Sequence, residues 1–431
     1  MRRLVAALLA TAAVLGAAGA AGSAPARLTL DYTVPPRYGL DANHDGLVDY
    51  PTTPAQVDLP FWTALVSVRA PGKPCDPAAR YVWRIGNVVQ PPGAFQPAGR
   101  CVWAFRKFPE RDKPYRVTAT ATRGGASGQV TVTIHDTLVV GLGDSNGSGE
   151  GNPDVPRSAG GPARWEDQRC DRSARSFEAQ AAGLLERASD KSSVTFVHLA
   201  CSGATILRGL TGQITEMKRL AGTRPVDAVI VSAGVNELAF GDMVRFCVND
   251  GGGLRNVLDW GKIDCWSLPF RAGLTLRDWV RSMAAQLPAR FDDLAKAFGT
   301  SVPPSRIFLV QYPNSTRDAD GRTCDPLIVG DRGIFTRQEA AEAEAEVLVP
   351  VNAAIAAAAS AHGWGLVTGP AERSRTHGYC VDDSAARWFV TYDESLRNQG
   401  NENGTLHPDE AGHADTARLV VAELKAAGVS G

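Results

Sequence analysis

The chain has 431 residues, 44% of them hydrophobic and 21% charged, with 45 basic side chains against 46 acidic ones. That length allows two domains and a sizeable buried core, while the near-even charge with no long basic run excludes the electrostatic footprint of a nucleic-acid binder. Residues 1–26 set Arg2 and Arg3 before an Ala/Leu/Val run and end in Ala18-Gly19-Ala20 and Ala24-Pro25-Ala26, the pattern of a cleavable secretory signal peptide. Without Arg2 and Arg3 the basic count falls from 45 to 43 and the formal balance against 46 acids becomes −3. No later segment reads as a bilayer span, so an extracellular protein without an integral membrane segment is expected. The eight cysteines, at 75, 101, 170, 201, 247, 265, 324 and 380, form an even set without a C-x-x-C pair. In an exported chain that argues for disulfides over metal ligation, with 105 connectivities open.

Residues 27–136 read as a separate β domain. Leu28 to Tyr32 alternate as a strand does, and a loop rich in oxygen side chains follows. Asp41, Asn43, Asp45 and Asp49 fall at relative positions 1, 3, 5 and 9, with Gly46 at 6 and Val48 at 8, the spacing that wraps a loop around Ca²⁺. Thr52 stands where an EF-hand carries its bidentate Glu, so a weak structural Ca²⁺ site is expected, with a plain Asx-rich turn as the alternative. Short β-type segments then run from Trp62 to Val68, Tyr81 to Ile85, Cys101 to Phe105, Tyr115 to Thr122 and Gln129 to Ile134, parted by Pro- and Gly-rich turns. The Tyr-Val-Trp-Arg-Ile run, the Tyr115 segment and the closing Val-Thr-Val resemble an immunoglobulin-like sandwich of the polycystic-kidney-disease-domain type. Such a resemblance implies a spacer or binding accessory and confers no activity by itself.

From residue 137 to 431 the rhythm changes to strands alternating with helices. Strands are expected at 138–142, 194–199, 226–232, 305–311 and 363–367, and helices near 174–188, 211–221, 274–298, 337–361 and 408–427. This alternation predicts a parallel sheet covered on both faces. Arg245 to Pro269, with Trp260 and Trp266 but no period, reads as a long disulfide-pinned loop, and the Ala/Glu-rich helix at 338–361 as an ordinary exposed face.

The chemistry centres on Leu138 to Gly151, where an apolar run breaks into glycines around Asp144 and Ser145. This is a buried strand ending in a tight turn that presents a hydroxyl, the place where an open α/β sheet keeps its chemistry. A serine hydroxyl needs a base and oxyanion donors to act as a nucleophile. Gly143-Asp-Ser-Asn-Gly147 also satisfies G-x-S-x-G, but that elbow follows several strands, whereas Ser145 ends the first strand of its own α/β domain.

A first-strand Gly-Asp-Ser instead resembles the GDSL, or SGNH, hydrolase family, in which four short blocks supply Ser, Gly, Asn and His. Cys201-Ser-Gly203-Ala-Thr205, Ser232-Ala-Gly-Val-Asn236-Glu-Leu and Leu406-His407-Pro408 follow in the family's order, so the resemblance covers about residues 137–428. It implies a flavodoxin-like three-layer α/β/α domain, with Ser145 as nucleophile, His407 as base, and the Ser145 and Gly203 amides with the Asn236 side chain as oxyanion hole. No cofactor is expected for catalysis. The implied function is a secreted ester hydrolase acting as a monomer on a small-molecule or lipid ester, as an esterase or lipase of lipid degradation. A carbohydrate O-deacetylase is the alternative within enzymes, and an inactive surface-binding protein the alternative outside them. His413 reads as a surface helix residue.

Three departures from the family pattern stand out. The position three residues before the base, usually Asp, is Gly404, so His407 is expected to lean on a main-chain carbonyl such as that of Thr405, or on Glu402 or Asn403. Val235 and Glu237 replace the common Gly and Asp of the asparagine block, and Asn146 stands where an aromatic or Leu is usual, which suggests a polar substrate portion. The resemblance to secreted three-disulfide relatives further implies consecutive pairing: Cys170 with Cys201, Cys247 with Cys265 and Cys324 with Cys380, leaving Cys75 with Cys101 for the sandwich.

Overall fold

The computed structural model describes residues 27–431 apart from 71, 73–75, 77, 250–263 and 330–332. The expected signal peptide, Cys75 and Trp260 lie outside the described residues. The chain divides into two compact units. The first takes the residues up to Tyr32 with Val66–Ala104 and Tyr115–Val132; the second takes Thr33–Leu65, Phe105–Pro114 and Thr133–Gly431.

The amino-terminal antiparallel region has two four-stranded sheets, one ordered Thr29–Thr33, Trp62–Arg69, Val102–Phe108, Phe95–Gly99 and the other Val88–Val89, Tyr81–Ile85, Tyr115–Ala121, Ser127–Val132. Alternation drives their burial: Val66 and Val68 point inward along one strand, and Val117 and Ala119 along another. Trp83 stacks on Phe95 with ring centroids 4.2 Å apart, which fixes a short strand that the sequence pattern passes over. Phe95–Gly99 contains Pro97 and Val88–Val89 is only two residues long, so neither carries a readable period.

The second unit is built on a five-stranded parallel sheet. Its strands are, in chain order, His135–Gly143, Ser192–His198, Ala228–Ser232, Ile307–Val310 and Gly365–Val367, and in space the second precedes the first, giving the order 2-1-3-4-5. That is the flavodoxin-like order, and the reversal beside the first strand is where such sheets bind ligands. The first strand is buried on both faces, and its residues divide by parity. Leu138, Val140 and Leu142 pack with Ile214, Met217, Phe291 and Val351, while Val139 packs with Phe177, Leu185, Val420 and Leu424. Each large aliphatic side chain buried this way contributes about 1.5–3 kcal/mol relative to exposure, which makes the sheet a rigid base for the loops at its carboxyl end.

Several boundaries differ from the expectation for physical reasons. The helix expected over 274–298 is two helices, Leu276–Ala284 and Leu287–Phe298, because Pro288 is tolerated only in a first turn. The first residues of the expected 245–269 loop continue a helix, Phe240–Asn249. The helix expected at 337–361 runs as Arg337–Ala343, a π-turn at Glu344–Leu348 and Val349–His362. Val347, Val351 and Ile355 bury one side of it in the core, so it is not simply an exposed face. By length and composition alone this stretch could cross a membrane, which the sequence reading did not anticipate.

The Asp41–Asp49 loop belongs to the second unit, with Ser145, and not to the antiparallel one. Tyr38 and Tyr50 flank it and set their rings against Phe196, at 5.3 and 5.9 Å between centroids. Three disulfides form as the resemblance implied, Cys170–Cys201, Cys247–Cys265 and Cys324–Cys380. Cys101 is also disulfide-bonded.

Candidate active site

The first strand ends at Gly143 because nothing larger fits there. A Cβ on Gly143 would stand 2.5 Å from the Ser232 carbonyl oxygen. Gln213, reaching from the helix Leu210–Ala221, clamps this peptide on both sides, its Oε1 accepting from Gly143 N at 2.8 Å and its Nε2 donating to Gly143 O at 2.8 Å. The chain then turns into one helical turn, Ser145–Ser148, capped by Asp144, whose Oδ1 accepts from the Asn146 amide at 3.1 Å. Ser232 Oγ and the Tyr312 hydroxyl also donate to Asp144. Burial raises the Asp144 carboxyl above its ordinary value, and these three hydrogen bonds offset only part of that rise. Asp144 is thus a structural anchor beneath the serine, and Asn146 turns its amide toward Ser232 Oγ at 3.4 Å.

The hydroxyl of Ser145 lies 2.8 Å from Nε2 of His407, 262 residues later in the chain. The histidine sits in a loop folded so that Leu406 has φ +68 and the His407 amide donates to Gly404 O at 3.1 Å. Burial holds the His407 imidazole below its ordinary value, opposed by Asp144 and by the carbonyls of Thr405 and Gly404. Nδ1 is buried and makes no regular hydrogen bond among the described residues. The two side chains considered as its orienter are engaged elsewhere: Arg245 approaches Glu402 Oε1 at 3.7 Å and donates to Asn403 Oδ1 at 3.0 Å.

Gly203 and Asn236 line the same cavity as Ser145 and His407. Gly203 has φ +76, a conformation that glycine adopts without strain, and the preceding Ser202 amide donates to Cys170 O, beside the Cys170–Cys201 bridge. Asn236 donates to Ala204 O at 3.1 Å through one of its two N–H groups. Glu237, in place of the usual Asp, braces that loop by accepting the Ile206 amide at 2.6 Å, and burial lifts its carboxyl to about 7.

His413 is not the surface residue expected. It is buried, stacks on Phe177, and its Nδ1 accepts the Phe177 amide at 3.2 Å, so desolvation lowers its pKa to about 3. Other residues were missed outright. Glu150, five positions after Ser145, is 3% exposed, accepts the Ser202 hydroxyl, and has Oε2 3.8 Å from His407 Nε2. Burial lifts its carboxyl to about 7. Glu178 stands behind the turn against Gly147, within 3.5 Å of the buried His198, and burial raises it to about 8. A carboxylate in the glycine-rich stretch after Ser145 was the available signal for Glu150; nothing local marks Gln213 or Tyr312.

Two cavities meet at Ser145. One, of about 120 Å³, is walled by apolar side chains including Phe240, Met243, Trp266, Leu327, Val347 and Val351. The other, of about 260 Å³, has a mixed lining, with Glu150, Ser202, Asn236, Arg245 and Asn403 on one side and Phe240, Val244, Val248 and Tyr392 among its apolar residues. A serine hydroxyl within hydrogen-bond reach of a histidine thus lies between an apolar slot and a second cavity of mixed lining.

In the Asp41–Asp49 loop the carboxylates mostly meet the loop's own amides. Asp41 accepts from the Asp45 and Gly46 amides, Asp45 from Leu47 and Asp49 from Ala42. Asp45 Oδ2 and Asp49 Oδ1 accept from Nδ2 of Asn43, at 3.2 and 3.4 Å, so an N–H donor stands between these two carboxylates.

Residues 142–414 match the model of the GDSL-like lipase/acylhydrolase family. No curated protein matches the chain. Among solved structures, a salicylyl-acyltransferase from a tetracycline biosynthetic pathway is similar at 12% identity, covering 94% of this chain and 99% of its own, with a TM-score of 0.31. A carbohydrate esterase with divergent catalytic and non-catalytic binding functions aligns at 12% identity over 93% of this chain and 98% of its own, with a TM-score of 0.30. An α/β hydrolase enzyme from the metagenome of Lake Arreo, Spain, aligns at 14% identity over 68% and 95%, with a TM-score of 0.31.

Proposed function

The chain belongs to the GDSL-like lipase/acylhydrolase family and is an ester-bond hydrolase, and on that premise we propose that it is a secreted serine carboxylesterase in which Ser145 and His407 form a catalytic dyad. The observation that carries this reading is the 2.8 Å contact between Ser145 Oγ and His407 Nε2 at the end of the first parallel strand. In the reaction, Ser145 Oγ attacks the ester carbonyl while His407 Nε2 takes its proton. The oxyanion meets the Ser145 and Gly203 amides and the second N–H of Asn236. Collapse breaks the bond to the alcohol oxygen, which leaves with the proton from Nε2. Water, deprotonated by the same nitrogen, then attacks the acyl-enzyme, releasing the acid and restoring the serine.

A carboxylate at Nδ1 would stabilise the imidazolium more than the carbonyls of Thr405 and Gly404 do, and Gly404 supplies none, so the base works as a dyad with a modest electrostatic contribution. The apolar slot beside Ser145 favours an acyl group longer than acetyl, which places a lipid esterase or lipase ahead of a carbohydrate deacetylase. Export is supported by the disulfides and by the amino-terminal sequence pattern. The Asp41–Asp49 loop would hold Ca²⁺ as a structural ion through Asp41, Asn43, Asp45 and Asp49.

Turnover of p-nitrophenyl esters from acetyl to palmitoyl tests the reading. A maximum at medium or longer acyl length supports it; a maximum at acetyl with steep loss beyond would favour the deacetylase.

A further inference from the structure

The second cavity holds Ser145, His407, Gly203 and Asn236, and it also contains a carboxylate that the chemistry derived above does not use. Glu150 is 3% exposed, yet it borders this cavity, and its Oε2 stands 3.8 Å from the nitrogen that delivers the proton to the leaving alcohol. Burying an ionisable carboxyl costs free energy unless partners repay it. Oε2 accepts a hydrogen bond from Ser202 Oγ and, as a carboxylate oxygen, retains capacity for another.

The leaving-group oxygen must lie within hydrogen-bond reach of His407 Nε2 when it is protonated. A second hydroxyl on the neighbouring carbon of that alcohol then falls within reach of an acceptor placed on the cavity side of Nε2. Glu150 Oε2 occupies that position. Arg245 and Asn403 add polar groups to this wall, while Phe240, Val244, Val248 and Tyr392 line the rest of the cavity.

We propose that this cavity is a leaving-group subsite for polyols, in which Glu150 accepts a hydrogen bond from the hydroxyl vicinal to the ester oxygen. The preferred substrate is then an apolar acyl chain esterified to a vicinal diol, with glycerol and a sugar as the two sources of that chemistry. This rests on the serine-esterase reading above and deepens it. A site built to hydrogen-bond a substrate hydroxyl discriminates against the analogue that lacks it, because the buried acceptor is left unpaired.

The test compares kcat/KM for 1-monooctanoylglycerol and ethyl octanoate, which share an acyl group, in the wild type, Glu150→Ala and Glu150→Gln. The wild type is expected to prefer the glycerol ester about 10-fold or more, with that ratio falling toward 1 in Glu150→Ala and partway in Glu150→Gln. A role confined to bracing Ser202 would lower both rates together and leave the ratio unmoved, which would overturn the proposal. Should Glu150→Ala fail to fold, the wild type decides alone. With octanoyl-enzyme partitioning among equal concentrations of glycerol, methyl glucoside and 1-propanol, acyl transfer to either polyol should exceed transfer to propanol. The better of the two identifies the source, and propanol as the best acceptor overturns the proposal. Absence of turnover on both octanoyl esters would instead sink the esterase reading itself.

Discussion

Gly404 packs so closely on Gly151 that a Cβ at position 404 would stand 2.5 Å from the Gly151 Cα. Gly404 is three residues before the base, where the family usually has an acid, and Gly151 belongs to the segment that follows the nucleophile turn. The close approach gives the missing carboxylate a steric reason: the loop carrying His407 rests on the backbone beside Ser145 with no room for a side chain. Gly404→Asp should therefore not build a triad. Displacing His407 by even about 1 Å is expected to cost about 10²-fold in kcat/KM. In parallel, Glu402→Gln should stay within the same order of magnitude as the wild type, since Glu402 faces Arg245. A faster Gly404→Asp enzyme, or a loss of several orders in a folded Glu402→Gln, would contradict the dyad.

Asn236→Ala should lower kcat by about 10²- to 10³-fold with little change in KM, the usual cost of one oxyanion donor. Steady-state kinetics on a single ester suffices. A change confined to KM would place Asn236 in substrate binding.

The pH profile follows from the direction in which His407 is shifted. The base acts when neutral, and burial lowers its pKa from 6.5. The acid limb of kcat/KM should accordingly have its midpoint below 6.5, with activity rising as pH increases through it. A midpoint clearly above 7 would mean that a carboxylate stabilises the imidazolium after all.

Calcium at millimolar concentration should raise the melting temperature of the full chain, because a ligand that binds only the folded state stabilises it. The loop packs through Tyr50 onto Phe196 and His198 in the unit that carries Ser145, so the shift should appear in the transition of that unit. Chelation should leave initial ester turnover unchanged at low temperature. No shift, or the same shift in Asp45→Asn together with Asp49→Asn, would mark the loop as an Asx-rich turn.

Much of this architecture was legible because it is written locally. The parity of Leu138 to Leu142, the glycines after it, and the Gly203, Asn236 and His407 blocks are each complete within a few residues. Residues that act across the fold were not legible. Gln213 clamps Gly143 from 70 positions away and Tyr312 reaches Asp144 from 168 away, and neither sits in a pattern that marks it. His413 reads as an ordinary polar helix residue until Phe177 is seen packed against its ring. Glu150 was in view, but only the folded loops carrying Ser202 and His407 show that its carboxylate lies 3.8 Å from His407 Nε2. The Asp41–Asp49 loop follows strand-like residues, so its neighbours in sequence suggest the β unit while its tyrosines dock on the other.

The central claim is that Ser145 is a nucleophile activated by His407, and labelling with a p-nitrophenyl alkylphosphonate tests it most directly, with the modified peptide mapped by mass spectrometry. The wild type should take up one phosphonyl group on the peptide containing Ser145 and lose ester turnover in step. Ser145→Ala should neither label nor turn over, and His407→Ala should label far more slowly. Labelling at another serine, or wild-type turnover in a folded Ser145→Ala protein, would contradict the account.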